Sequence, residues 1–358
     1  MPIASTGPVT FTSLRTEFIG GSAAINFSDL YSGGANSYIR TPAANNTATS
    51  LSPNVPTSGA IAVSNFRGAS KGFRFTFTSN ATNQDASAIF GDDYGVDYPK
   101  EIVIDSGVEL GGTSASEEAL QINSGGLGTI KIINNGTLTG AGGAANGGAG
   151  GDAFEANVAC IFINNGSIRS GGGGGARGGN GGNGGGGRYT TTASNATYIT
   201  FANSGSPCSV SMFGGIGSNY VNKYVTQSNC CMGEGYRCQL YGRLQSTVNT
   251  SGGGGGAGGN GGRGAGYNQT VANGSGGAGG ANGGTNAGAG GTGGTGGNGG
   301  GFGADGSGGT NGSGGNNGNR TNGSGGGSAT SAGAAGKSIR GISSVTLTNN
   351  GTIIGGQV

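Results

Sequence analysis

Histidine and tryptophan are both absent from the 358 residues. Without histidine there is no Ser-His-Asp triad, no Cys-His pair and no imidazole ligand for zinc, and the commonest general base is missing. The chain therefore reads as a non-enzyme, with no metal and no cofactor. Charge is scarce as well: 9% of residues are Asp, Glu, Lys or Arg, and the formal net charge is +2. Such a balance supplies neither the basic footprint that nucleic acid demands nor a cationic membrane surface. Long apolar runs are lacking; the longest, 158–163, falls far short of the roughly 20 residues that cross a bilayer. The opening Met1-Pro2-Ile3-Ala4 has no basic region followed by an apolar core, so the expectation is a protein first made in the cytosol, neither exported by a signal peptide nor embedded in a membrane. Proline is sparse, with 7 residues and none after Pro207.

Glycine is abundant instead. It fills 40 of the 80 positions from Ser251 to Thr330, and runs such as Gly290–Gly300 repeat every three residues. Glycine has the largest ordering entropy and no side chain to bury, so one such segment alone stays disordered. A period of three matches an extended helix of three residues per turn, whose backbone polar groups point outward. Several such helices side by side can bond to one another, with glycine permitting close approach and the third residue (Thr, Asn or Ala) on an outer face. Collagen needs a strict single-glycine triplet with abundant proline, so the pattern favours a bundle of polyglycine-II helices. A flexible linker is the alternative.

The remainder reads as mainly β. Residues 1–70 form a small N-terminal module with two related signatures, around Phe27-Ser28-Asp29-Leu30 and Val63-Ser64-Asn65-Phe66, in which each Ser is a natural N-cap for a short helix. Residues 71–170 form a β-rich core. Lys71–Ser79 alternates with Phe73, Phe75 and Phe77 on one face, and a short helix fits around Gln84–Phe90. A repeat then runs Ile102–Gly112, Ile130–Gly140 and Cys160–Gly171, with turn glycines at Gly107, Gly136 and Gly166 spaced by 29 and 30 residues. Each copy has β-branched alternation, an Asn-Gly or Ser-Gly turn and a second short strand, which predicts a β-strand or hairpin core, or a tight solenoid corner, in stacked units. A fourth copy, Val345–Gly355, returns after the glycine expanse, so residues 331–358 carry strands that rejoin the same core and the glycine-rich region 171–330 is an excursion from it.

Within that excursion, residues 188–250 stand apart, holding four of the five cysteines and six of the eleven tyrosines. Cys208, Cys230, Cys231 and Cys238 are disulfide candidates; free thiols remain open, and their spacing fits no zinc ribbon. Cys160 sits in a strand pattern as a small buried apolar residue. Tyr189, Tyr198, Tyr220, Tyr224, Tyr236 and Tyr241, with Arg188, Lys223, Arg237 and Arg243 among them, have the composition of a binding surface for sugars or protein. They equally suit a miniature core of the segment's own. The pairs Asp92-Asp93 and Glu117-Glu118 read as solvated loop charges, because neighbouring residues in a strand face opposite sides and a glycosidase needs opposed carboxyls.

The signature Pro56–Gly68 resembles the opening module of tailed-bacteriophage tail-fibre and virion proteins, and the Ile-Asn-Asn-Gly copies with their glycine tracts are similar to glycine-rich phage tail-fibre adhesins, including the receptor-recognising adhesin of T-even long tail fibres. The resemblance covers most of the chain except 188–250. It implies that the N-terminal module attaches to other tail or baseplate proteins of the virion. It also implies that loops joining polyglycine helices meet a surface glycan or outer-membrane protein of the host. The candidate receptor-contacting residues are then Tyr189, Tyr198, Tyr220, Tyr224, Tyr236, Tyr241, Arg237, Tyr267 and Phe302. The protein would be made in host cytoplasm and released by lysis, and scarce large apolar residues suggest a homotrimer in which partners supply burial. A purely structural virion fibre and a β-solenoid polysaccharide depolymerase are the rival readings.

Overall fold

The computed structural model describes residues 2–20, 24–34, 37–204, 206–214, 219–229 and 236–358. The N-terminal module begins with helix α1 (Phe11–Phe18), capped by a reciprocal pair in which Ser13 N–H donates to Thr10 Oγ1 at 3.1 Å and Thr10 N–H to Ser13 Oγ at 3.0 Å. Two 3-10 turns come next, Phe27–Leu30 and Val63–Phe66. The serines expected to cap them lie inside them instead. In the second turn the cap comes from Asn65, whose Oδ1 accepts from Ala62 N–H at 2.7 Å, because a side chain at the third position reaches back one turn. Leu14, Phe18, Leu30, Ile39, Val55 and Phe66 close a small core of their own.

The short strand β1 (Thr49–Ser50) pairs antiparallel with β2 (Phe73–Phe77) and covers the outer edge of a stack of parallel rungs. The first rung is β2, β3 (Ala81–Thr82) and β4 (Gln84–Asp85), followed by helix α2 (Ala86–Phe90). The second is β5 (Lys100–Ile104), β6 (Glu109–Gly111) and β7 (Leu120–Ile122). The third is β8 (Ile130–Asn134), β9 (Thr137–Thr139) and β10 (Phe154–Ala156). The fourth opens with β11 (Cys160–Asn164) and β12 (Ser167–Arg169). Before the rung closes, the chain leaves on the glycine excursion, which contains β13 (Gly187–Thr192), β14 (Thr197–Ser204), β15 (Tyr220–Asn229) and β16 (Tyr236–Thr250). It re-enters as β17 (Lys337–Arg340), and β18 (Val345–Asn349), β19 (Thr352–Ile354) and β20 (Gly356–Gln357) make the last rung.

First, second and third strands of successive rungs pair in parallel, giving three sheets around one core, a three-sided β-helix. Ile102, Ile132 and Phe162 stack in one column and Leu110, Leu138 and Ile168 in another, all fully buried. After an interval of 185 residues, Asn349 takes its place opposite Asn164, and the column Asn134–Asn164–Asn349 is tied by side-chain amide bonds of 2.8 and 2.7 Å. The strands flanking each Asn-Gly turn belong to different sheets, so the turns are solenoid corners and the hairpin expectation is corrected. Nor is positive φ the reason for glycine at the Asn-Asn-Gly corners. At Gly166 a Cβ would stand 2.0 Å from the carbonyl oxygen of Gly136 in the rung before. The three sheets enclose an apolar core within one chain.

Asp93, read as a solvated loop charge, is fully buried: it pairs with Arg40 at 2.8 Å and accepts from Ala43 N–H and Asn46 Nδ2, tying the N-terminal module to the first rung. Lys100 is equally buried, its ammonium donating to the carbonyls of Val96, Tyr98 and Leu127, and burial pulls its pKa down to about 8. Burial pushes the Cys160 thiol up to about 11, in keeping with a small apolar core residue.

All the glycine tracts leave from the corner between the second and third sheets. Six extended segments, 171–186, 252–265, 272–281, 288–300, 304–316 and 323–336, run back and forth from it. Gly175, Gly178, Gly181 and Gly184 N–H of the first donate to Gly262, Gly259, Gly256 and Gly253 of the second, every third residue and in antiparallel sense. The second donates in the same rhythm to the fourth (Gly253 to Gly288, Gly256 to Gly291), and the fourth back to the first (Gly291 to Gly182, Gly294 to Gly179). The result is a closed triangle, and the remaining segments add further triangles on its sides. Where no neighbour lies beyond, third-position side chains take over: the hydroxyls of Thr310 and Ser313 accept from Thr295 and Thr292 N–H, each at 2.7 Å.

Close approach decides which glycines are replaceable. A Cβ on Gly258 would sit 1.9 Å from Gly178 O, whereas one on Gly254 meets nothing within 4 Å. Gly258→Ala is expected to destabilise the bundle by about 1–3 kcal/mol through overpacking, and Gly254→Ala to be neutral or slightly stabilising through a less flexible unfolded chain. Thermal melting of the two variants side by side checks this.

Candidate functional site

The end of the bundle remote from the β-helix carries the four-stranded sheet, whose strand order is β13-β16-β14 with β15 on the other side of β16. Its root is clamped. Arg188 N–H donates to Asn319 Oδ1 at 2.7 Å, Arg188 O accepts from Asn286 Nδ2 at 3.1 Å and Asn319 Nδ2 at 2.8 Å, and Thr250 Oγ1 donates to Thr285 O at 2.7 Å. The turns 282–287 and 317–322 thus hold the two chain crossings into and out of the sheet. Strand β16 is the spine: Gln245–Thr250 pairs with β13, and its first half pairs with β14 and β15 on either side.

Alternate residues of a strand face opposite sides, and β16 uses this fully. Cys238, Leu240 and Gly242 are buried, and with Phe213, Ile199, Ala202 and Val225 they make a satellite core. Cys208 is bridged to Cys238 beneath it, with Cα atoms 5.5 Å apart. Cys230 and Cys231 lie outside the described residues. On the opposite face stand Arg237, Gln239, Tyr241 and Arg243. The register sets Tyr198 of β14 and Tyr224 of β15 directly opposite Tyr241. Tyr224 and Tyr241 stack with centroids 5.4 Å apart and planes 11° apart, and Tyr198 meets Tyr241 edge-on at 5.8 Å. Arg237 lies 4.8 Å over the ring of Phe201, a cation–π contact. Tyr198 and Tyr224 remain 48% and Phe201 50% exposed.

Of the sequence candidates, Tyr198, Tyr224, Tyr241 and Arg237 therefore share one face. Tyr236 packs on the satellite core, Tyr220 lies on the face of Gly242, and Tyr189 sits near the root, opposite Val248. Tyr267 and Phe302 are elsewhere. Tyr267 N–H donates to Gly140 O, and its ring covers Gly111 so closely that a Cβ there would come within 2.0 Å. Phe302 lies under the Arg169 guanidinium at 4.3 Å. Both are half-buried against the β-helix, roughly 40 Å from the sheet at about 3.1 Å per residue of segment.

The residues that sequence reasoning missed are Phe201, Gln239, Thr285, Asn286 and Asn319. A signal for the last three existed: the glycine triplets break four times, at 266–271, 282–287, 301–303 and 317–322. In segments that run back and forth, alternate breaks fall at opposite ends.

Among the described residues no cluster of His, Cys, Asp or Glu suits a metal, and no helix is long and apolar enough to cross a membrane. The architecture is that of a stalk rising from a β-helix and ending in a stapled sheet. Residues 72–242 match the family model of the phage tail fibre adhesin Gp38, a little under half of the chain, from the first rung to the middle of β16. Over these residues the chain is similar to phage tail-fibre adhesins, a match that supports a tail-fibre protein of a phage particle. Comparison with curated proteins gave no match, and neither did comparison with solved structures.

The disulfide closes a loop with a sequence separation of 30, which corresponds to about 3–4 kcal/mol in the chain-entropy account. The double substitution Cys208→Ser, Cys238→Ser is expected to accelerate amide exchange across 197–244 while leaving the glycine segments unchanged. Exchange mass spectrometry on the intact protein reads both regions at once.

Proposed function

We propose that this chain is the host-recognising adhesin of a tail fibre, non-enzymatic, with its receptor contacts on the distal sheet. The observation that carries the reading is the row Tyr198–Tyr241–Tyr224, with its two outer rings exposed and its central ring half-buried, flanked by Arg237 and Arg243, at the far end of a hydrogen-bonded stalk. Tyrosine gives large contact area at small entropy cost and a polar tip, which suits recognition of a wet surface. The stalk is read as a polyglycine-II bundle, on the strength of its hydrogen bonds every third residue between neighbouring segments.

The N-terminal module is assigned to attachment. It has its own core and closes the first rung through β1, so it packs on the β-helix and not on the distal sheet. Synthesis in the host cytoplasm followed by lysis fits this assignment and lets Cys208 and Cys238 oxidise after release.

Two deletions test the reading. Replacing 189–249 by a short turn is expected to abolish adsorption of the purified protein to susceptible cells while the bundle stays folded by amide exchange. Removing 2–69 is expected to abolish incorporation into particles while adsorption persists. Undiminished adsorption after the first deletion would move the receptor site off the sheet. Undiminished incorporation after the second would move the attachment site off the module.

A further inference from the structure

Resting on the assignment of the distal sheet to receptor binding, we infer that its exposed face takes an acidic surface polysaccharide, with tyrosine rings against the sugar faces and guanidinium groups on carboxylates. The charge distribution is the first argument. Residues 188–250 hold Arg188, Lys223, Arg237 and Arg243 against the lone Glu234, whereas the rest of the chain carries 13 basic and 14 acidic residues. The positive net charge of the whole protein therefore resides in this segment. Among the described residues, neither Arg237 nor Arg243 forms an ion pair with a carboxylate. A guanidinium is weakly hydrated and shaped to take a carboxylate through two parallel bonds.

Shape is the second argument. Three strands spaced about 4.8 Å apart make a strip only some 10–15 Å wide, suited to a single extended polymer. The centre of the strip is the aromatic row, and rings presented across neighbouring strands offer flat apolar platforms at low ordering cost. Along β16, Arg237 and Arg243 stand six residues apart on this face, about 20 Å in a strand, one on either side of the row. The third argument is the polar lining between them. Gln239 and Thr226 are cross-strand partners, as are Arg237 and Ser228, so amide and hydroxyl groups sit where sugar hydroxyls need donors and acceptors. Beside Tyr224 lies a shallow depression walled by Ser194, Asn195, Asn222 and Arg243, a seat for a ring substituent within reach of a guanidinium. A protein receptor would be expected to meet a broader surface whose centre is poor in charge.

The full-length protein can be titrated against immobilised alginate, polygalacturonate and purified uronate-bearing capsular polysaccharides, with dextran as the neutral control. Binding to at least one carboxylated polymer and none to dextran is expected. Tyr224→Ala, Tyr198→Ala and Arg243→Gln should each weaken that binding about tenfold, while Arg263→Gln on the side of the bundle should leave it unchanged. Amide exchange in β16 verifies that each variant keeps the sheet. The inference is overturned if no carboxylated polymer binds, if dextran binds equally, or if the tyrosine variants bind as the parent does and salt alone removes binding. Cells that are still bound after periodate but not after protease would likewise sink it, pointing to a protein receptor and leaving the adhesin reading intact. Failure to adsorb to any susceptible cell would instead remove the adhesin reading itself.

Discussion

The structure depends on one contact repeated many times: a backbone amide of one glycine segment donating to a carbonyl of the next at 2.7 to 3.0 Å. An ordinary residue could not make it, because a side-chain carbon would take the space of the neighbouring carbonyl oxygen, as at Gly258 over Gly178. Ordering a glycine is costly, and with so little to bury the return must come from backbone bonds made in nearly every direction. A turn of three residues permits this, since successive N–H groups point to three different neighbours. The same requirement explains why the excursion begins and ends on one rung. Segment 171–186 grows directly out of β12 and segment 323–336 runs into β17, so the bundle is templated at its base by strands already locked in a core.

Much of the β-helix is legible in the residues. The Asn-Asn-Gly copies at 134–136, 164–166 and 349–351 mark successive corners, and the return of the fourth copy at Val345 foretells a strand pairing across 185 residues. The nature of the corner is not legible. Asn-Gly serves a hairpin when it supplies positive φ, but at Gly166 it serves a solenoid by letting two rungs touch, and a single sequence cannot separate the two uses. Asp93 shows a similar limit. Its neighbour Asp92 and the surrounding polar residues suggest solvent, and only the fold brings Arg40, Ala43 and Asn46 to it from 47 to 53 residues away.

The candidate site divides along the same line. Composition alone singled out 188–250, and Tyr198, Tyr224, Tyr241 and Arg237 do share a face. Which tyrosines share it depends on a register broken by irregularities between Tyr198 and Thr200 and between Val221 and Tyr224, which periodicity alone does not reveal. Tyr267 and Phe302 drew notice as aromatics in a glycine sea. They mark bends at the base of the stalk, where a large ring fills the gap between bundle and β-helix. The molecule thus uses two kinds of physics in series: a stalk held by main chain with almost no side chains, and a tip held by a disulfide and a satellite core, with side chains free to vary on its outer face.

The back-and-forth course of the stalk has a further consequence for how such a protein can change in size. Each segment borders two or more others, so three residues added to one alone would leave a turn of amides hanging without acceptors. A taller stalk requires the same triplet to be added to every segment together, and each such step raises the tip by about 9 Å. Reach is therefore a stepped quantity in this architecture, set in whole turns, while the sheet at the summit can be exchanged or resized without touching the count below it.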